Sequence, residues 1–402
     1  MWPRLVAKKL LCRQRGGISS VADFPSEDEL RSSTFGEIKK TDKYRLFAGT
    51  WNVAGIPPSK NLNLGDWLET ESTTYDIYIL GFQEVVPLNA KNVLGPENNR
   101  VSLKWHSLIS RALNAKPSSN FQCVVSKQMV GIMVSVWVRA ELHPFVKHTS
   151  VSCVGCGIMG YLGNKKAVFV TEMRRCVFLQ GSVSFLRCVL SFGFGRKEGD
   201  ELHRNSNAME IFSRTKFPSE PSLPLPKHIL DHERVILLGD LNYRISFPEE
   251  ETLSLVLQKE WDNLLQKDQL KGEITEGGVF GGWNEGAIDF SPTYKYCPNS
   301  EKYYGSQPGE KKRAPAWCDR ILWRGDGMKQ TGYGRCELRH SDHRPVRASL
   351  TVEVEALVHW GSSETLYFVS SELDRISYKL RELLSEDEED GMEEQGDGIA
   401  IG

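Results

Sequence analysis

Three short blocks of this 402-residue chain share one design, and that design restricts the fold more than any other feature. They are Leu238-Gly239-Asp240-Leu241-Asn242-Tyr243-Arg244, Pro315-Ala316-Trp317-Cys318-Asp319-Arg320-Ile321-Leu322-Trp323 and Ser341-Asp342-His343-Arg344-Pro345-Val346. Each sets a carboxylate or an imidazole beside apolar β-formers. That is how a sheet keeps its body buried and presents polar groups at its rim. Tyr44 to Val53 repeats the pattern, running through Leu46 and Phe47 to Asn52, and Asp76 to Glu84 runs through Ile77, Tyr78, Ile79 and Leu80 to Glu84. Val130 to Val138 and Val235 to Leu238 read as further strands, while Leu253 to Leu270 carries Leu and Trp at helical spacing. Strands and helices therefore interleave, with the chemistry at strand ends.

With 40% hydrophobic residues the chain can bury a core of one α/β domain of roughly 300 residues plus tails. Its formal net charge is -2, which excludes binding of a polyanion by bulk charge; an anionic ligand must meet a local cluster such as Lys311, Lys312 and Arg313. The cysteines number 9, odd and scattered, and there is no secretory apolar stretch. A reducing, cytoplasmic setting is the expectation. Cys153 and Cys156 have Cys-x-x-Cys spacing, but no second pair answers them, so they read as small residues of a Gly-rich turn rather than half a zinc site.

Residues 1–43 form a basic leader. Before Asp23 there is no acid, and Arg4, Lys8, Lys9, Arg13 and Arg15 alternate with apolar residues. A solvated leader, an amphipathic helix at a membrane surface and a transit peptide all fit this pattern. Residues 44–354 are expected to be the catalytic domain. Residues 355–402 end in an acidic run, Ser385 to Asp390, too polar to bury a core and expected to be disordered.

Hydrolysis of a phosphate ester needs a hard cation on the phosphoryl oxygens, a base for water, a donor for the leaving oxygen and positive charge around the phosphate. Asn52 and Glu84, each closing a strand, are oxygen ligands of the kind Mg²⁺ prefers, although a lone Glu after a strand is usually just surface. Asp240 and Asn242 lie two apart and share a side in an extended segment; in isolation such a pair is more often a turn. In Asp342-His343 a carboxylate could fix the tautomer of the imidazole and raise its basicity, whereas a histidine alone is usually a satisfied surface residue. The Cys-x5-Arg loop of a cysteine nucleophile is absent around Cys318.

From Tyr44 to Val354 these blocks resemble the inositol polyphosphate 5-phosphatase family, most closely its plant members. The signature blocks are Gly239 to Arg244 and Arg313 to Trp323. The resemblance implies a four-layer α/β sandwich with two mainly antiparallel central sheets flanked by helices, the architecture of the endonuclease/exonuclease/phosphatase superfamily. It implies that Asn52 and Glu84 serve a Mg²⁺ site, that Asp240 and Asn242 orient the water and the phosphate, that Asp342 and His343 activate the water, and that Asp319 is a further site carboxylate. Substrate contacts would come from Asn164, Lys165, Tyr294, Lys295, Lys311, Lys312, Arg313 and Arg320. Phosphoinositide lipids and soluble inositol polyphosphates are the implied substrates, met by a monomer in peripheral contact with membranes and not by a nucleic-acid binder. Two rivals stand beside this reading: a nuclease or sphingomyelinase of the same superfamily, and a catalytically impaired phosphoinositide-binding homologue.

One segment departs from the family pattern. After Gly157 to Lys165 the family continues at once with Gly-Ser-Val-Ser, which here arrives late, at Gly181 to Ser184, behind the extra segment Lys166 to Gln180. Where the family has Ser/Thr-His-Leu this chain has Leu190-Ser191-Phe192, and no histidine lies between His148 and His203. The codons CTC TCA TTT GGC TTC encode Leu-Ser-Phe-Gly-Phe and, shifted by one base with a following G, Ser-His-Leu-Ala-Ser. Residues 166–196 therefore read as intron read-through with a local frameshift, or as a divergent loop and strand.

Overall fold

The computed structural model describes residues 37–87, 92, 99–147, 149, 151–155, 169–171, 173–175, 184–191, 199–217, 226–305 and 313–359. The chain divides into a compact unit, Lys39–Leu357, and a second unit made of the terminal segments Met1–Ile38 and Val358–Gly402. Of the second unit only residues 37–38 and 358–359 are among those described, as strand ends.

Two sheets form the compact unit. The first has the order β13-β14-β1-β2-β4-β3, built from β1 (Glu37–Asn52), β2 (Ile77–Gln83), β3 (Phe121–Met129), β4 (Ile132–Arg139), β13 (Met328–Arg335) and β14 (Val346–His359). The second has the order β11-β12-β10-β9-β7-β6, with β8 also paired to β9 and β5 paired to β8. Its strands are β5 (Val146–Lys147), β6 (Val151–Ser152), β7 (Phe169–Thr171), β8 (Met173–Arg175), β9 (Ser184–Ser191), β10 (Arg234–Asp240), β11 (Asn284–Glu285) and β12 (Asp319–Arg324). β1 runs parallel to β2 and β9 parallel to β10; the other registered pairs are antiparallel.

Side-chain alternation explains the layering. Leu46, Ala48, Ile79, Val134 and Val136 of the first sheet meet Ile236, Leu238 and Ile321 of the second in one buried core. The opposite face of the first sheet, with Phe47, Trp51, Tyr78 and Phe82, packs against Trp67 and Leu68 of helix Gly65–Leu68 and Trp105, Leu108 and Ile109 of helix Arg100–Leu113. On the second sheet, Val235, Leu237 and Leu322 are covered by Ala208 and Ile211 of helix Asp200–Arg214 and Leu270 of helix Gln269–Thr275. The four-layer sandwich implied by the family resemblance is the fold. Because β2 is covered on both faces, all seven of its residues are buried. Glycine is required at position 49, where a Cβ would lie 2.8 Å from ring atoms of Phe47 and Trp67.

Strand direction brings the polar rims together. The parallel pair β1 and β2 ends in register at Asn52 and Gln83, and β9 and β10 end in register at Ser191 and Asp240. β12 runs antiparallel to β10 and begins at Asp319, opposite Asp240. His343 precedes β14 by three residues. The carboxyl ends of four strands and the amino ends of two others thus share one edge of the sandwich.

Candidate active site

At that edge Asp240, Asp319 and His343 form the one group of three or more His, Cys, Asp or Glu residues among the described residues that could hold a metal ion, their ligand atoms lying within 4.8 Å of one another. All three are buried. Asn52 links the sheets, its Nδ2 donating to Asp240 Oδ2 at 2.9 Å and approaching Glu84 Oε1 at 3.4 Å. The Asn242 amide N–H donates to Asp240 Oδ1 at 3.1 Å. Glu84 and Asn242 hold left-handed backbone, with φ of 53° and 55°. For Glu this conformation costs on the order of 1–2 kcal/mol, strain of the kind that collects at functional sites.

His343 is held from several sides. Its Nδ1 lies 2.8 Å from Asp319 Oδ2, its backbone carbonyl accepts from Trp51 Nε1 at 3.2 Å, and its ring packs on Tyr294 with centroids 4.5 Å apart. Ser341 Oγ donates to the Asn52 carbonyl at 2.7 Å, fastening this segment to the end of β1. Asp319 Oδ2 also accepts from Thr293 Oγ1 at 2.7 Å. Its other oxygen, Oδ1, is buried with no hydrogen-bond partner. A buried carboxylate oxygen left bare is costly, and a hard cation or a protonated ligand would satisfy it.

Charges inside the cluster are shared unequally. Burial is the main reason the Asp240 carboxyl is pushed up to about 7, with Asp319 adding to the rise and His343 opposing it. Burial by itself would lower His343, but the Asp319 carboxylate beside it outweighs that and raises the imidazole to about 9. At neutral pH His343 is therefore a cation and Asp240 is poised to exchange a proton. Cys318 is buried and its thiol is pushed up by burial, so it is no nucleophile.

Three sequence expectations are corrected by this geometry. The carboxylate that holds His343 is Asp319 and not Asp342, because neighbours in an extended segment point to opposite sides; Asp342 is instead paired with Lys295. Burial opposes it, yet His343 and Lys295 nearby hold the Asp342 carboxyl below its ordinary range. Asn52 turns its amide nitrogen, not its oxygen, toward the carboxylates, since Oδ1 already accepts from the Ala54 N–H at 2.9 Å. Arg320 makes no substrate contact: one residue after Asp319 on β12, it faces the other way and is fully buried, with Nη1 2.9 Å from Asp268 Oδ1 and Nε 2.7 Å from Glu285 Oε1. Replacing it leaves two buried carboxylates unpaired, so Arg320→Ala is expected to lose about 3–5 kcal/mol of stability in urea unfolding, with Arg320→Lys losing less. An unchanged midpoint would remove it from the framework.

Lys295 and Arg313 line a cavity of about 690 Å³ beside the cluster, together with Tyr304, Asn299 and Asp342. Arg313 Nε and Nη1 are buried there without hydrogen-bond partners. Tyr294, expected at the substrate, packs on His343 and beneath Arg244, whose guanidinium carbon is 4.9 Å from the ring centroid. Asn164, Lys165, Lys311 and Lys312 lie outside the described residues. Thr293 and Arg244 had no role assigned from sequence. Thr293 directly precedes Tyr294, and Arg244 closes the Asp240 block, where its Nη2 donates to Asn242 Oδ1 at 2.5 Å. That adjacency was the only signal.

A double-sheet sandwich with two carboxylates, an imidazole and flanking amides at one edge defines a phosphoester-hydrolase site of the endonuclease/exonuclease/phosphatase class. The model of endonuclease/exonuclease/phosphatase family 2 matches residues 49–349. In Arabidopsis thaliana, type IV inositol polyphosphate 5-phosphatase 9 is 48% identical over 96% of this chain and 99% of its own length. Type I inositol polyphosphate 5-phosphatase 8 from the same plant is 40% identical over 88% of this chain and 86% of its own. The crystal structure of a synaptojanin inositol polyphosphate 5-phosphatase domain, in complex with inositol (1,4)-bisphosphate and calcium, superposes with a TM-score of 0.69 at 26% identity, covering 89% of this chain and 96% of that one. Cimex nitrophorin, at 19% identity and a TM-score of 0.57, shares the fold alone. The chain belongs to the inositol polyphosphate 5-phosphatase family and is an enzyme of that activity.

Proposed function

We propose that the enzyme hydrolyses the 5-phosphate of phosphoinositides and of soluble inositol polyphosphates by direct attack of water, with Mg²⁺ as its metal. The observation that carries this reading is the convergence of Asp240, Asp319 and His343 around a bare buried carboxylate oxygen, next to a cavity presenting Lys295 and Arg313. Glu84 and Asp319 are the oxygen donors that would hold Mg²⁺; Asn52 would join them as a ligand only by turning its amide, which gives up the Ala54 bond. A cation held there would neutralise phosphoryl charge and lower the pKa of water.

The protein's own groups supply the rest. Asp240, its carboxyl raised by burial, accepts the proton of the attacking water, and the ring oxygen leaves as its bond to phosphorus breaks, taking its proton from solvent water. Asn242, in its left-handed turn and held through Oδ1 by Arg244, presents its amide nitrogen to a phosphoryl oxygen. His343, kept protonated by Asp319, donates to the phosphoryl oxygens. Lys295 and Arg313 bind ring phosphates, a demand that a nucleic-acid backbone would not make. Lipid headgroups would reach this cavity from a membrane surface, which suits a cytoplasmic enzyme in peripheral contact with membranes and a role in ending phosphoinositide signals.

Phosphate release from inositol 1,4,5-trisphosphate and from phosphatidylinositol 4,5-bisphosphate vesicles, followed before and after chelation, tests the reading. Release should stop in excess chelator and return with Mg²⁺; full activity in chelator would exclude the metal. A second reading, binding without turnover, is favoured by Ser191 at the rim beside Asp240, where the sequence resemblance implies a histidine. Tight binding of both ligands with no phosphate released in Mg²⁺ would select it. Lys295→Ala should raise KM on inositol phosphates far more than on an aryl phosphate, and equal losses on both would take Lys295 out of ring recognition.

A further inference from the structure

We infer that Arg339 determines substrate specificity by receiving a further phosphate, on the ring position beyond the one met by Lys295 and Arg313. The inference rests on the reading of this cavity as an inositol polyphosphate site. Arg339 lines the same cavity as Lys295 and Arg313, so three cations face it against the single carboxylate of Asp342. Of these, Lys295 is already paired with Asp342, and Arg313 has buried nitrogens without a partner. Arg339 differs from both. Its ion pair is with Glu301, and the two side chains are 45% and 71% exposed.

Such an exposed pair contributes at most about 1 kcal/mol. A phosphate dianion at the cavity wall, offering two oxygens to one guanidinium, is the stronger partner, so Arg339 can exchange Glu301 for substrate. The segment that carries it is anchored. His340 Nε2 lies 3.2 Å from the Ile56 carbonyl, and its ring meets those of Trp51 and Trp105, each with centroids 5.8 Å apart. That leaves Arg339 as the movable group on a fixed support.

Ring connectivity gives the order of contacts. With the 5-phosphate at Asp240, Asp319 and His343, the adjacent 4-phosphate falls to Lys295 and Arg313, and the 3-phosphate lies one ring carbon further along the same cavity. A volume of about 690 Å³ has room for this third group. The substrate class that Arg339 favours is therefore the 3-phosphorylated one.

Calorimetric binding in chelator, which separates affinity from turnover, tests this on the full chain. Inositol 1,3,4,5-tetrakisphosphate is compared with inositol 1,4,5-trisphosphate, and the lipids phosphatidylinositol 3,4,5-trisphosphate and 4,5-bisphosphate in neutral vesicles form a second arm. Arg339→Ala should cut the tetrakisphosphate-to-trisphosphate affinity ratio by about tenfold, Arg339→Lys should restore part of it, and Glu301→Gln should increase it. A ratio shifted only with soluble ligands, or only with vesicles, identifies the source the residue reads. An unchanged ratio in Arg339→Ala in both arms, or a ratio lowered by Glu301→Gln, overturns the inference. Phosphate release in Mg²⁺ is followed alongside: a shifted ratio without turnover refutes the hydrolytic reading and leaves Arg339 in place, whereas turnover with an unchanged ratio does the reverse.

Discussion

Asp240→Asn is expected to lower kcat by about 10²–10⁴ with little change in fold, because the amide keeps the shape of the carboxylate and cannot take the proton of water. The pH profile carries the sharper form of this expectation. Asp240 must be deprotonated to act as base, so kcat/KM should rise with pH along an acidic limb, and burial raises the carboxyl to about 7 before any cation is bound. His343 must keep its proton, so activity should fall as pH rises through about 9. The two titrate as an interacting unit, and the limbs of the bell belong to the pair. A bound cation, adding positive charge, moves the acidic limb lower. In Asp319→Asn the imidazole loses the carboxylate that holds its proton, so the alkaline limb should shift to lower pH. An Asp240→Asn enzyme with the wild-type rate, or an Asp319→Asn enzyme with the wild-type alkaline limb, would remove these roles.

Deleting Lys166 to Gln180 and writing Ser-His-Leu in place of Leu190-Ser191-Phe192 is expected to raise turnover by about 10²–10⁴, the range commonly supplied by one well-placed acid or base. The register of β9 makes the reason concrete. Ser191 pairs with Asp240 in the parallel β9 and β10 ladder, so Ser191→His sets an imidazole at the rim next to the proposed base. That residue would supply the proton for the leaving oxygen, or a charge for the phosphate, which this chain has no imidazole at β9 to provide. Within the extra segment, β7 and β8 are strands paired to β9, so the deletion also changes the neighbours of the strand that carries position 191. The single substitution Ser191→His, assayed with and without the deletion, separates chemistry from geometry. Circular dichroism matched to the parent excludes a folding effect, and equal turnover in all the proteins would mean that another group already fills the role.

Much of this enzyme is legible in one dimension. Where an apolar run was bounded by a polar residue, after it at Asn52, Glu84 and Asp240 and before it at Asp319, local sequence determined that one end of a strand would lie at a rim, because burial of the run and solvation of its end are decided by neighbouring residues. The blocks around those residues also carried the family and its four-layer fold. Partnership was different. Whether His343 would lean on Asp342 or Asp319, and whether Arg320 would face substrate or Asp268 and Glu285, depended on which side of a strand each residue faced and on what another strand placed opposite. Distances of 2.8 Å between residues 24 apart in sequence come from sheet register and from the packing of one sheet on the other, and no local pattern encodes them. The proton balance of Asp240 and His343 followed in turn, since burial and the charge of a neighbour exist only once the sandwich has closed.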